Sequence, residues 1–154
     1  MEMPTPGDAH KKLAQLVGQW TGTETLHPSP WDPKGGSATG RIQNRAELGG
    51  FVVVQDYEQE RNGTINFRGH GVFGWDAKDQ CYTLHWFDTM GMPPNTFRGS
   101  FEGNVLSLID KNANGVNRAI FYFTKSDAYT FKMEVSQDGK QWFAMMDGSY
   151  EKVK

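Results

Sequence analysis

Tight-turn sequences recur at short intervals along the chain, and this recurrence limits its possible folds more than any other feature. Reversals are predicted at five dipeptides: Gly49-Gly50, Asn62-Gly63, Gly103-Asn104, Ser126-Asp127 and Asp138-Gly139. Asn-Gly between two runs of β-branched and aromatic residues is a strong signal for a β-hairpin. The segments between the turns alternate in side-chain character, as strands with one buried face do. The sequence therefore predicts an all-β chain of antiparallel strands.

Ten strands can be placed between about Gly18 and Tyr150, each joined to the next by a turn or loop. Such an up-and-down meander leaves two open edges, and closure into a barrel removes them. One helix is predicted before the first strand, from Asp8 to Val17. We therefore predict a single domain over residues 1–154, folded as a ten-stranded antiparallel up-and-down barrel with a short N-terminal helix.

The two long loops of this meander are predicted to share one rim of the barrel, because alternate turns lie at the same end. The first loop, residues 27–36, contains three prolines and Trp31, and the second, residues 89–94, contains Met90. Prolines and glycines exclude regular structure from both segments. We expect an open mouth beside these loops and a closed base near Trp20.

Charge and composition argue against several classes of partner. The 16 basic and 18 acidic residues are mixed along the chain, so no cationic patch for nucleic acid or a membrane surface is expected. One cysteine, Cys81, excludes an internal disulfide, and the absence of an apolar leader favours a cytoplasmic location. The four histidines lack the spacing of metal ligands, so we expect no metal and no cofactor.

The lengths of two turns predict which residues of the last three strands face the interior. If Ser126-Asp127 and Asp138-Gly139 are two-residue loops, one apolar face should point inward. That face carries Arg118, Tyr122, Met133, Trp142 and Met146.

The opposite face of the same strands would then expose a row of aromatic side chains. Phe121, Phe123 and Phe143 belong to this row. Contiguous exposed apolar surface is typical of subunit interfaces. These strands are therefore predicted to form a homodimer contact.

The sequence does not decide which face of the third to fifth strands points into the barrel. One face carries Asp56, Phe67, Trp86 and Asp88, and the other carries a more polar set that includes Gln55, Tyr57, His70 and His85. The first face is preferred as the interior because it is more apolar. The second would also form a good binding surface.

Several motifs resemble those of a known superfamily. Gly18-Gln19-Trp20 resembles the G-x-W of the calycins, the group of lipocalins and fatty-acid-binding proteins. Leu48-Gly49-Gly50, the glycine-rich segment 69–76 and the Trp86–Gly91 segment together are similar to an uncharacterised bacterial lipocalin-like domain family with a W-x-D-[ST]-M-G signature. The resemblance implies the barrel and leaves the activity open. Haem-binding nitrobindins share this barrel type but need a histidine near the C-terminus, and none follows His85 here.

Gly69 to Gly74 matches the letters of a dinucleotide fingerprint, G-x-G-x-x-G. That fingerprint functions at a strand-to-helix turn, and no helix is predicted to follow this strand. We expect instead that Gly69 and Gly71 leave room for Trp86 on the neighbouring strand.

The function predicted from the sequence is binding of a small, largely apolar molecule inside the barrel, without catalysis. The predicted ligand-binding residues are Trp31, Trp86, Asp88, Met90, Arg118, Tyr122, Met133, Trp142 and Met146. An inward Arg118 requires either a carboxylate partner or an acidic ligand group.

Two alternatives remain open. The first is an isomerase, cyclase or hydrolase that uses Asp88, Asp56 or His85 as a general base in the same cavity. The second is an interaction module with a filled, ligand-free core.

Overall fold

The computed structural model describes residues 2–30 and 32–154, which form an all-β barrel with a short helix before the first strand. The helix α1 spans Asp8–Lys12 and continues as a 3-10 turn over Leu13–Leu16; a second 3-10 turn spans Leu48–Gly50. The ten strands are β1 (Gly18–Leu26), β2 (Gly36–Glu47), β3 (Val52–Arg61), β4 (Thr64–Asp76), β5 (Cys81–Asp88), β6 (Asn95–Glu102), β7 (Val105–Asn112), β8 (Gly115–Lys125), β9 (Ala128–Ser136) and β10 (Phe143–Lys152).

The barrel is closed by pairing of the first and last strands. Each strand pairs with its neighbour in sequence, and β1 also pairs antiparallel with β10, from Trp20 opposite Lys152 to Leu26 opposite Met146. Closure leaves no unpaired sheet edge. The predicted ten-stranded antiparallel barrel with a short N-terminal helix is therefore confirmed.

The N-terminal segment covers one end of the barrel. Leu13 and Leu16 are fully buried there, and the indole N–H of Trp20 donates a hydrogen bond of 2.9 Å to the Leu16 carbonyl. The Tyr82 hydroxyl donates a 2.7 Å bond to the carbonyl of Ala9. Apolar burial and these two bonds close the base. Within the described residues, no helix has the length and apolar character needed to cross a bilayer.

A β-bulge in β4 decides which face of β3 is internal. Glu60 pairs with Ile65 beside the hairpin turn. The next pair joins Gln59 to Phe67, so Asn66 is an additional residue in β4. One additional residue reverses the facing of a strand relative to its partner.

The face that the sequence favours as the interior is therefore right for β4 and β5 and wrong for β3. Phe67 and Trp86 face the interior as expected, but their partners inside are Gln55 and Tyr57. Asp56 lies on the outer surface, where it is bound by Arg45 and His70.

A second bulge, in β8, has the same effect at the other side of the barrel. Lys125 pairs with Ala128 across the predicted two-residue turn. The next pair joins Tyr122 to Thr130, so β8 holds one residue more than β9 between these pairs. Arg118 and Tyr122, predicted to face inward, therefore face outward, and the prediction was wrong for both.

The aromatic row predicted to face solvent lies mostly in the core. Phe121 and Phe123 are buried and contact Tyr129, whereas Phe143 is 57% exposed. The predicted dimer surface thus loses two of its three named residues to the interior, for the same reason as Arg118.

Candidate functional site

A cavity of about 400 Å³ lies inside the barrel on the side of the long loops. Its walls come from the inward faces of β1 to β6 and β8 to β10. They include residues at the strand ends opposite the helical base: Leu26, Asp88, Asn95, Asn117, Val135 and Met145. The volume lies within the usual range for small-molecule sites, about 300–1,000 Å³. The predicted mouth and base therefore lie at opposite ends of the barrel.

Most of the wall is aromatic or contains methionine. The apolar side chains that line the cavity include Phe67, Trp86, Phe97, Phe121, Phe131, Met133 and Met146. Trp86, Met133 and Met146 were expected to lie here from the sequence. Methionine side chains adapt to ligands of different shape, because they are unbranched and polarizable.

Behind one wall lies a completely buried carboxylate, Glu24. Its oxygens accept hydrogen bonds from the Tyr57 hydroxyl at 2.7 Å, from the Gln59 amide at 2.9 Å and from the Tyr150 hydroxyl. Every partner is a neutral hydrogen-bond donor, and the oxygens of Glu24 accept from each of them. Tyr57, Gln59 and Tyr150 separate Glu24 from the cavity and also line it. We call these four residues the Glu24 cluster.

The tyrosines near Glu24 are held in their protonated form. Burial, followed by the negative charge of Glu24, raises the pKa of Tyr57, Tyr129 and Tyr150 well above the ordinary value. The hydroxyls of Tyr57 and Tyr150 therefore remain protonated at neutral pH and donate hydrogen bonds to the carboxylate.

Two glycines make room for the Glu24 cluster. A Cβ atom at Gly40 would overlap the Glu24 carboxylate, and one at Gly148 would overlap the Tyr150 hydroxyl. Sequence reasoning missed this cluster. The sequence of β1 does indicate that Glu24 faces inward, because Trp20 is expected inside and residues four apart in a strand share a face.

Asp88 lies at the mouth and is held in place by two N–H donors. The Trp86 indole donates a 2.8 Å bond to one carboxylate oxygen, and the Met90 backbone donates a 3.0 Å bond to the other. Asp88 lines the cavity and also contributes the turn that begins the loop after β5. Of the three proposed general bases, it is the one that reaches the interior.

Asp56 and His85, the other two proposed bases, lie on the outside of the barrel. Asp56 is bound by Arg45 and His70, which hold the pKa of its carboxyl below the ordinary value. His85 is exposed and lies beside Thr96. Neither lines the cavity within the described residues.

The remaining predicted binding residues do not meet in the cavity. Arg118 forms a 3.0 Å ion pair with Glu134 and stacks on Trp142, with its guanidinium carbon 3.9 Å from the ring centre. Tyr122 lines a shallow outer groove, and Met90 is 71% exposed in the loop. Trp31 lies outside the described residues.

A larger groove of about 830 Å³ runs across the outer surface of β2, β3 and β4. Most of its charged side chains pair with one another: Arg41 and Arg68 with Glu58, and His70 with Asp56. Asp88 lines this groove as well as the cavity. The groove is open to solvent. The internal cavity is the better candidate, because it lies inside the barrel and has a mostly apolar wall.

Comparison with known families agrees with the barrel. A family model described as "Protein of unknown function (DUF1579)" matches residues 5–152. The chain belongs to this family. No curated protein matches the chain by sequence. Whether the Trp86–Gly91 sequence is a hallmark of DUF1579 stays a prediction.

Solved structures of the same barrel type resemble this DUF1579 member. The crystal structure of Rv2717c from M. tuberculosis has a TM-score of 0.74 at 13% identity, over 96% of this chain and 99% of that one. The S-type phycobiliprotein lyase CPES from Guillardia theta has a TM-score of 0.65 at 11% identity, over 97% and 99% of the two chains. Identities this low establish a shared fold and no more.

Proposed function

We propose that the protein binds a small, largely apolar molecule inside the barrel. The observation that carries this proposal is the internal cavity of about 400 Å³, whose wall is mostly aromatic and aliphatic. Burial of apolar surface there is worth about 25 cal/mol per Å². The calycin-like barrel and its resemblance to a lyase that acts on phycobiliproteins support the proposal.

A few polar groups in the wall provide orientation. Gln55 is buried and directed into the cavity, and its amide has no hydrogen-bond partner among the described residues. An amide that lines a cavity can both donate hydrogen bonds to a ligand and accept them from it. Gln55 thus gives a mostly apolar site one polar contact.

The test is displacement of a neutral, environment-sensitive dye such as N-phenylnaphthylamine. Its fluorescence should rise on binding to the protein and fall again when octanol is added. Ala119, fully buried in the cavity wall, is replaced by tryptophan to fill the cavity. We expect the Ala119→Trp variant to lose dye binding by at least about tenfold while it stays folded by circular dichroism.

The matched control is Thr25→Trp, which places the same side chain on the exposed face of β1. It should bind the dye as the unmodified protein does. Equal dye binding by Ala119→Trp and Thr25→Trp would show that the dye adheres to the surface, and would overturn the proposal.

A further inference from the structure

We infer that the molecule taken up by the cavity is cationic: a protonated or quaternary amine on an apolar body. This inference rests on the proposed function and adds the charge of the ligand. It follows from how charged side chains are distributed between the inside and the outside of the barrel.

Carboxylates face the interior, and cationic side chains do not line it. Glu24 is fully buried, Asp88 lines the cavity, and Asp110 is 7% exposed on the inner face of β7. Asp110 accepts a 2.8 Å bond from Asn95, which lines the cavity. Among the described residues, no lysine, arginine or histidine lines the cavity, and no ion pair involves any of these three carboxylates.

Carboxylates on the outer face have the opposite environment. Asp56 is paired with Arg45, Asp76 and Asp79 with Arg98, and Glu134 with Arg118. Within the described residues, the cationic side chains thus pair with carboxylates on the outside and leave the inward carboxylates without a cationic partner. A buried charge without a counter-charge is costly, and low-dielectric walls concentrate its field in the cavity.

The cavity wall independently suits a cation. Aromatic rings attract cations through their electron-rich faces, and rings arranged around a pocket recognise ammonium groups in this way. Tyr57, Trp86 and Phe67 form such a wall, with Tyr57 6.0 Å from Phe67 and 6.2 Å from Trp86 between ring centres. The Tyr57 hydroxyl also donates to Glu24, so the carboxylate lies at the hydroxyl edge of one of these rings.

Gln55 is a third and separate reason to expect a cationic ligand. Its amide oxygen, which has no partner among the described residues, can accept a hydrogen bond from an ammonium N–H inside the cavity. An inward arginine would have selected an acidic ligand. Since Arg118 faces outward and pairs with Glu134, it does not provide an anchor for an acidic ligand in the cavity.

The experiment compares three ligands of the same chain length by calorimetric titration: octylammonium, octanol and octanoate. We expect octylammonium to bind at least about tenfold more tightly than octanol, and octanoate to bind least, as expected for charges a few ångströms apart in a partly buried site. The preference should persist in about 1 M salt, where charges at the protein surface are screened within about 3 Å.

Variants test where the preference comes from. Asp88→Asn removes a charge at nearly constant shape and should lower the affinity for octylammonium by about tenfold while octanol binds unchanged. Glu24→Gln should act in the same direction. If Glu24→Gln does not fold, Asp88→Asn carries the test alone. Asp79→Asn, which removes an exposed carboxylate paired with Arg98, should change neither affinity.

The outcomes separate the two proposals. Octanol binding together with equal or tighter octanoate binding would overturn the cationic ligand and leave the binding cavity standing. Loss of the octylammonium preference in about 1 M salt, or an unchanged preference in Asp88→Asn, would also overturn it. Binding of none of the three would overturn the proposed function itself.

Discussion

At the scale of single residues, the interior depends on a few side chains that fit only beside glycine. The ring of Trp86 lies against the Cα positions of Gly69 and Gly71, and a Cβ atom at Gly69 would overlap it. The sequence predicts this contact, because Gly and Trp face each other on paired strands. Residue pairing confirms it for Gly71, which lies opposite Trp86.

Gly69→Ala should therefore displace the Trp86 ring and destabilise the protein by about 1–3 kcal/mol, as overpacking of a core does. The free energy of unfolding in urea and the tryptophan emission spectrum measure the two effects. Gly74→Ala is the control on the same strand, because its Cβ atom would meet its nearest neighbour, the Thr83 hydroxyl, at 3.4 Å. Equal stability of the two variants would contradict the tight packing of Gly69 on Trp86.

The ion pairs of Asp56 lead to a prediction of how the stability of the fold depends on pH. Arg45, and then His70, lower the pKa of its carboxyl below the ordinary 3.8. The folded state therefore gives up this proton more easily than the unfolded state, and the stabilisation is present above about pH 4 and lost as the pH falls through the folded pKa. Because both partners are well exposed, the contribution is expected to be under about 1 kcal/mol.

Asp56→Asn should be less stable than the unmodified protein at pH 7, and the difference should vanish near about pH 2. Urea unfolding at both pH values checks this. A difference that grows toward low pH would show that the carboxyl pKa is raised, contrary to the geometry of the Asp56–Arg45 pair.

The Glu24 cluster shows where residue-level prediction stops. Alternation from Trp20 places Glu24 inside, but its donor Tyr57 lies on β3, whose facing depends on a bulge in another strand. A side chain's partner across the barrel is set by the register of several strands together. No single segment of the sequence contains that information.

At the scale of strands, most of the turns were predictable and the bulges were not. The prediction of a two-residue loop at Asp138-Gly139 was wrong, because the connection between β9 and β10 covers residues 137–142. The sequence predicts strands over residues 81–88 and 95–102, because aromatic runs and turn residues mark their ends, and β5 and β6 have these bounds. The additional residue in β4 follows a two-residue turn and the one in β8 precedes another, and both turns have the sequence of regular hairpins. A bulge is stabilised by the core that forms on the reversed face, so the turn sequence alone does not reveal it.

Deletion of Asn66 tests the role of the bulge in β4. Without the additional residue, regular pairing would turn Asp56 and Val54 inward and Tyr57 outward. We expect the free energy of unfolding to fall by several kcal/mol, because a charged group would then enter the core unpaired.

The control deletion is Met92, which is 69% exposed in the loop between β5 and β6. Loops of this kind tolerate changes in length, so its cost should be under about 1 kcal/mol. Similar urea midpoints for both deletions would contradict the claim that Asn66 sets the facing of β3.

At the scale of the whole molecule, closure and charge sorting act together. Pairing of β1 with β10 completes a wall whose base is sealed by Leu13 and Leu16. Ion pairs cover the outside, while the inside keeps carboxylates with neutral donors only. A filled barrel would need none of this polarity inside, and a binding site uses it for orientation.

The central claim is that the closed barrel is hollow near its mouth and admits small molecules. A crystal structure determined under xenon pressure tests it most directly, because accessible apolar cavities bind xenon. We predict xenon density inside the barrel between Ala119, Met133 and Trp86. Side chains that close this space, with no density inside, would contradict the account.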